Sequence, residues 1–135
     1  MSAMENLLKK SGYSEKAIDL YINKVNLFKI KEADASFLYT GPCGDTMEFF
    51  LKIKDGKITD ASFLTIGCVG AHVAGSAIAE LVKNRTIKEA EEITEEEILQ
   101  YIEELPSEKK ECICLAKRTL SKALKKYKSQ GLVED

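Results

Sequence analysis

The sequence predicts an α+β domain in which a three-stranded antiparallel meander occupies the middle of the chain and helices precede and follow it. Two observations carry this expectation. Between Ala35 and Ile53 apolar and polar residues alternate with a period of two, and Asp55-Gly56, just beyond, is a hairpin signal. On either side the apolar spacing changes to the threes and fours of amphipathic helices, about five in all. A length of 135 residues suits one compact domain that buries its core without disulfides.

Ser14, followed by Ala17, Ile18, Tyr21 and Ile22, reads as a short helix with a serine cap, preceded by no more than a frayed turn. Ala35, Phe37 and Tyr39 then alternate with Ser36, Leu38 and Thr40. After the turn Gly41-Pro42-Cys43-Gly44-Asp45, Met47, Phe49, Leu51 and Ile53 alternate with Glu48, Phe50, Lys52 and Lys54. Lys57 to Ile66 supplies the third strand. Beyond Gly67-Cys68 the residues are small and helix-friendly, with Ala71, Ala74, Ile78 and Leu81 as an apolar stripe. Thr86 with Glu89 and Thr94 with Glu97 have the spacing of capping boxes, and Pro106-Ser107 ends the second of these helices. The last helix runs from Ser107 or Glu111 to Tyr127, with Leu115, Ala116, Thr119, Ala123 and Leu124 inside.

Charge excludes more than it identifies. The chain has 20 basic and 22 acidic residues, so a nucleic-acid-coating protein is not expected. The acidic block Glu89 to Glu104 and the basic block Lys109 to Lys128 read as solvated faces, with a protein partner as the alternative. The basic block lacks the interleaved aromatics of a nucleic-acid surface. No apolar run approaches membrane-spanning length, and residues 1 to 10 hold only short apolar pairs such as Leu7-Leu8, so a cytoplasmic location is expected. In that compartment Cys43, Cys68, Cys112 and Cys114 are reduced thiols, available to metal or sulfur chemistry or simply packed as small apolar side chains.

Local setting distinguishes the thiols. Pro42 and Gly44 let the turn curl until Cys43 and Asp45 point the same way, although Asp45 equally suits a turn-stabilising role. Cys68 falls where a strand hands over to a helix, near unpaired N–H groups and the positive end of the helix dipole, a setting that favours a thiolate ligand or nucleophile. Cys112 and Cys114 diverge on a helix. Cys112 leads to the inner stripe of Leu115, Ala116 and Thr119, whereas Cys114 leads to the basic outer one of Lys117, Arg118 and Ser121, as a surface thiol or spare ligand. His72, the single histidine, reads as packed or supporting in preference to ligating. Glu111 suits a helix start whether or not it binds metal. No triad order, phosphate loop or catalytic carboxylate pair is present, so a turnover enzyme is not expected.

These residues resemble the IscU/NifU N-terminal family of iron-sulfur cluster assembly scaffolds from Tyr13 to about Lys128. The resemblance rests on Tyr13-Ser14-Glu15-Lys16, Tyr21, Cys43-Gly44-Asp45 with Met47, and Phe63 with Gly67-Cys68. It continues through Glu89-Ala90, Leu105-Pro106, Lys109, Cys112, Leu115-Ala116 and Tyr127. It implies a scaffold domain over residues 13–130 between an N-terminal extension (1–12) and a C-terminal tail (131–135), with helices packed on the sheet and a metal site at one exposed end. It further implies Cys43, Cys68 and Cys112 as cluster cysteines, Asp45 as the carboxylate of a labile [2Fe-2S] cluster, and Lys109 near the site, with zinc as the substitute cargo. The implied partners are a cysteine desulfurase, an iron donor and apo iron-sulfur proteins.

Two positions depart from the family pattern. Glu111 stands where the family usually has His, which leaves Asp45, Glu111, Cys114 and His72 as alternatives for the fourth ligand. Leu105-Pro106-Ser107-Glu108-Lys109 keeps only the ends of the stretch that an Hsp70-type chaperone recognises. The alternative function is a zinc-dependent sulfur acceptor similar to the SufU branch. That branch also lacks the histidine, but it carries an insertion for which the chain from Cys68 to Cys112 has no room.

Overall fold

A computed structural model describes residues 2–42 and 44–129; Cys43 and the expected tail at 131–135 lie outside the described residues. The chain opens with helix α1 (Ala3–Lys10) in place of the expected frayed turn. Ser2 and Glu5 form a reciprocal capping box around its first turn, and Leu8 is buried. Met4, Leu7 and Leu8 have helical spacing, but the run is only about two turns long and Met4 and Leu7 face solvent. Helix α2 (Glu15–Ile22) starts at Ser14, whose hydroxyl accepts from the Ala17 N–H and donates to the carbonyl of Ile102.

Strands β1 (Ala35–Thr40), β2 (Thr46–Lys54) and β3 (Lys57–Ile66) form an antiparallel sheet in the order β1-β2-β3. Asp55 and Gly56 both have positive φ, the geometry that a two-residue hairpin needs to match strand twist. The register places Phe37 opposite Phe49 and Phe49 opposite Phe63, so one face of the sheet carries a continuous aromatic row into the core. Phe50 points to the other face yet is buried, against the alternation in the sequence. Next to it residues 32–34 are bonded back to β2: the Leu51 carbonyl accepts from the Asp34 N–H, and Asp34 accepts from the Ile53 N–H.

Helix α3 (Val69–Val82) is the centre of the molecule. Every residue from Gly70 to Ala79 is buried, which is more than the single apolar stripe expected. Small residues all round let β3, α2 and two later helices approach it together. Those later elements are α4 (Ile87–Glu91), α5 (Glu95–Ile102), a 3₁₀ turn (Ser107–Lys109) and α6 (Glu111–Ser129). Thr86 and Glu89 form the full capping box at α4. At α5 only half of the expected box exists: Thr94 accepts from the Glu97 N–H, but the Glu97 carboxylate pairs with Arg85. A guanidinium is the stronger partner for a carboxylate than a backbone amide.

Candidate metal centre

Three elements bring their chemistry to one end of the sheet. The turn between β1 and β2 closes on itself, with the Gly41 N–H donating to the Asp45 carbonyl (2.9 Å), the Gly44 N–H donating to Gly41 (3.0 Å), and Gly44 at φ 92°. The Asp45 side chain takes no part in these bonds and turns instead to the start of α3. There Cys68 is the N-cap residue and makes no side-chain cap bond. Its sulfur lies 3.4 Å from Oδ2 of Asp45, and its N–H points at the same oxygen at 3.5 Å. On the first turn of α6, Cys112 puts its sulfur 3.4 Å from that of Cys68.

The donor atoms of Asp45, Cys68 and Cys112 lie within 4.8 Å of one another, the one such group among the described residues. The thiols are reduced, far beyond the S–S bond length of about 2.05 Å. Two sulfurs on one tetrahedral zinc, at Zn–S distances of about 2.3 Å, stand about 3.8 Å apart. The observed sulfur separation needs an adjustment of only a few tenths of an ångström to meet that. Two soft sulfurs and one hard oxygen form a donor set suited to zinc or iron, less tenacious than all-thiolate coordination.

Cys112 is held as a thiol without metal. Burial, then the hydrogen bond and charge of Cys68, then the charge of Asp45 push its pKa up to about 12, with Lys109 opposing. A metal bound there would have to replace that proton.

The other candidates stand outside the three-donor group. His72 is buried, its ring edge-on to Tyr21 (4.8 Å) and Phe63 (5.5 Å), and burial followed by the charge of Lys24 lowers its pKa. Glu111 is exposed at the start of α6, and half-buried Cys114 lies on the basic stripe, as the helix periodicity implies. Lys109 is near the site, its Cβ and Cγ beside Gly70. The basic face is more than solvated: Lys122 stands over the rings of Tyr39 (5.2 Å) and Phe37 (5.9 Å), and Tyr39 hydrogen-bonds Arg118. These contacts join α6 to β1, a pairing that neither segment's own periodicity reveals.

The sequence profile of the NifU-like N terminal domain matches residues 12–133. The chain belongs to the NifU-like N-terminal domain family. Among curated relatives of this NifU-like chain, iron-sulfur cluster assembly scaffold protein IscU of Escherichia coli K12 is 37% identical over 124 residues, covering 88% of this chain and 96% of that protein. IscU 1 of Archaeoglobus fulgidus is 37% identical over 116 residues, 85% of this chain and 76% of the relative. Among solved structures, the N-terminal part of a NifU-like protein from Brucella abortus superposes with a TM-score of 0.70 at 17% identity, over 91% of this chain and 99% of the other. A candidate scaffold protein for the SUF system from Fervidobacterium islandicum AW-1 gives 0.69 at 23% identity, over 83% and 96%. At these identities the structural likeness establishes the fold: a three-stranded antiparallel sheet covered by helices. Among the described residues of the NifU-like chain no helix is long and apolar enough to cross a membrane.

Proposed function

We propose that this chain is a scaffold for iron-sulfur cluster assembly. It holds a labile [2Fe-2S] cluster at Asp45, Cys68 and Cys112, with Cys43 as a further thiolate, and passes the cluster to apo-proteins. The observation that supports this most is the approach of two thiols and a carboxylate from three separate elements to within 4.8 Å, on the fold of a family whose curated relatives carry the scaffold name.

Sulfur enters from a cysteine desulfurase as persulfide. A scaffold thiolate attacks the outer sulfur, a new S–S bond forms, the desulfurase S–S bond breaks, and the desulfurase thiolate leaves. Two such sulfurs take four electrons to become sulfide. Two ferrous ions from an iron donor supply two electrons on becoming ferric, and a reductant supplies the other two. On this reading the chain delivers a product and is not an enzyme. An Hsp70-type chaperone reading residues 105–109 meets Leu105 and Pro106 buried, so capture requires that stretch to open.

The second reading, a zinc-holding sulfur acceptor like SufU, is favoured by one observation: the single histidine is packed between Tyr21 and Phe63 and stands outside the donor group. Anaerobic incubation with ferrous iron, cysteine, a reductant and a desulfurase separates the two. The scaffold reading expects visible cluster absorption and its loss to an added apo-ferredoxin. A protein that keeps only zinc and stimulates the desulfurase without developing that absorption refutes it.

A further inference from the structure

Two glycines beside Cys68 are each crowded by a different donor arm. A Cβ at Gly67 would lie 2.6 Å from Cγ of Asp45 and 2.9 Å from both of its carboxylate oxygens. A Cβ at Gly70 would lie 3.0 Å from the sulfur of Cys112 and 3.1 Å from Cβ of Lys109. Neither glycine has a positive φ, so the backbone at both positions accepts alanine. What meets a side chain at Gly67 is the Asp45 carboxylate, and at Gly70 the Cys112 sulfur together with the stem of Lys109.

We infer that Gly67 and Gly70 are positioning residues that set the two arms of the centre separately: Gly67 admits the Asp45 carboxylate to Cys68, and Gly70 admits the Cys112 sulfur. The inference rests on the reading of Asp45, Cys68 and Cys112 as ligands. The arms differ in how far they must give. Carbon and oxygen atoms in ordinary contact stand well beyond 3 Å, so a methyl group at 67 pushes the carboxylate away from Cys68 altogether. At 70 the sulfur yields by a few tenths of an ångström. The oxygen arm is therefore removable through Gly67 with every thiol intact, whereas Gly70 loosens a sulfur arm and leaves the oxygen alone.

Gly75 provides the comparison. It lies on the same helix, and its Cβ would meet the Phe63 ring at 2.7 Å. That clash belongs to helix-on-sheet packing and touches none of the three donors.

Anaerobic titration with cobalt(II) reads the arms individually, because thiolate-to-cobalt charge-transfer intensity grows with each bound thiolate and a carboxylate adds none. Gly67→Ala is expected to keep the parent intensity per cobalt and to weaken affinity about 10-fold, as Asp45→Ala should. Combining the two should weaken it no further. Gly70→Ala should lose part of the intensity that Cys112→Ala loses. Gly75→Ala should lower the melting temperature with the cobalt spectrum and affinity unchanged.

If Gly67→Ala itself melts low, the double variant with Asp45→Ala should recover melting temperature, since the clash is with that side chain. Full additivity of Gly67→Ala and Asp45→Ala overturns the inference. So does a metal-free Gly67→Ala structure in which the carboxylate keeps its 3.4 Å contact with the Cys68 sulfur. Absence of cobalt binding by the parent, or unchanged binding in both Asp45→Ala and Cys112→Ala, overturns the ligand reading instead and the inference with it.

Discussion

The sulfurs of Cys68 and Cys112 stand 3.4 Å apart although 44 positions separate them in the chain, one at the N-cap of α3 and the other on the first turn of α6. Both helices present their N-terminal ends here, and both cysteines belong to the three-donor group, whereas Cys114 does not. Cys68→Ala and Cys112→Ala should each weaken zinc binding at least about 10-fold, and Cys114→Ala should leave it within twofold. Competition with a chromophoric chelator measures all three.

Exchange of the hard oxygen for a sulfur should make the site more retentive. Asp45→Cys offers an additional thiolate to a soft metal. Cluster transfer from this variant to an apo-ferredoxin should slow by about 10-fold or more, on the scale of a change in a supporting ligand, while the assembled cluster persists longer in the presence of a chelator. Decay of the scaffold's visible absorption gives both rates.

Metal uptake by Cys112, on the proposed reading, should be a proton exchange. Its thiol, pushed up to about 12, is protonated at neutral pH, so binding there releases one proton and affinity falls as pH is lowered. Calorimetry in buffers of different ionisation enthalpy counts the proton, and Cys112→Ser should reduce the count. In the metal-free protein the sign is opposite on the alkaline side. The unfolded thiol ionises near its ordinary value of 9.0 and the folded one only near 12. Stability therefore declines across that interval.

His72 contributes to the acid sensitivity of the fold. Its folded pKa lies below the ordinary 6.5 because burial disfavours the charged ring. The unfolded chain takes up the proton first, so the stability contribution is complete above 6.5 and is lost as pH falls through the folded value. His72→Phe should flatten the dependence of the urea midpoint on pH in this range.

Ser14 ties two helices with one hydroxyl, capping α2 and donating to Ile102 at the end of α5. Ser14→Ala should cost about 1–2 kcal/mol, the upper part of the usual range for a lost cap, and Ser14→Asp should recover only the capping share. Urea unfolding of the metal-free protein measures both.

The strands were legible because half-buried antiparallel strands write their burial as alternation, and Asp55-Gly56 fixed the hairpin. The inward placement of Cys112 and the more outward one of Cys114 were legible for the same reason at helical spacing. Three features were not. Helix α1 carries Met4, Leu7 and Leu8 at helical spacing, but buries only Leu8, and eight residues are a short run to read. Glu97 has the spacing of a capping residue but is taken by Arg85, a partner set by the fold. The approach of Asp45 to Cys68 depends on the fold of the β1–β2 turn and on the space beside Gly67. The small-residue run Gly67-Cys68-Val69-Gly70 hinted at close packing without naming what packs.

The outer edge of β3 is occupied at two places by distant segments. Ile58 donates to the Arg85 carbonyl and accepts from the Asn84 N–H, while Phe63 donates to the carbonyl of Asn26 beside a bridge to Leu27. These connections interrupt the ladder that β3 would otherwise present to a neighbouring strand. Sheet extension through this edge would have to displace Asn84, Arg85 and Asn26 first, so the segments that lead out of α2 and α3 also guard β3 against strand-to-strand pairing.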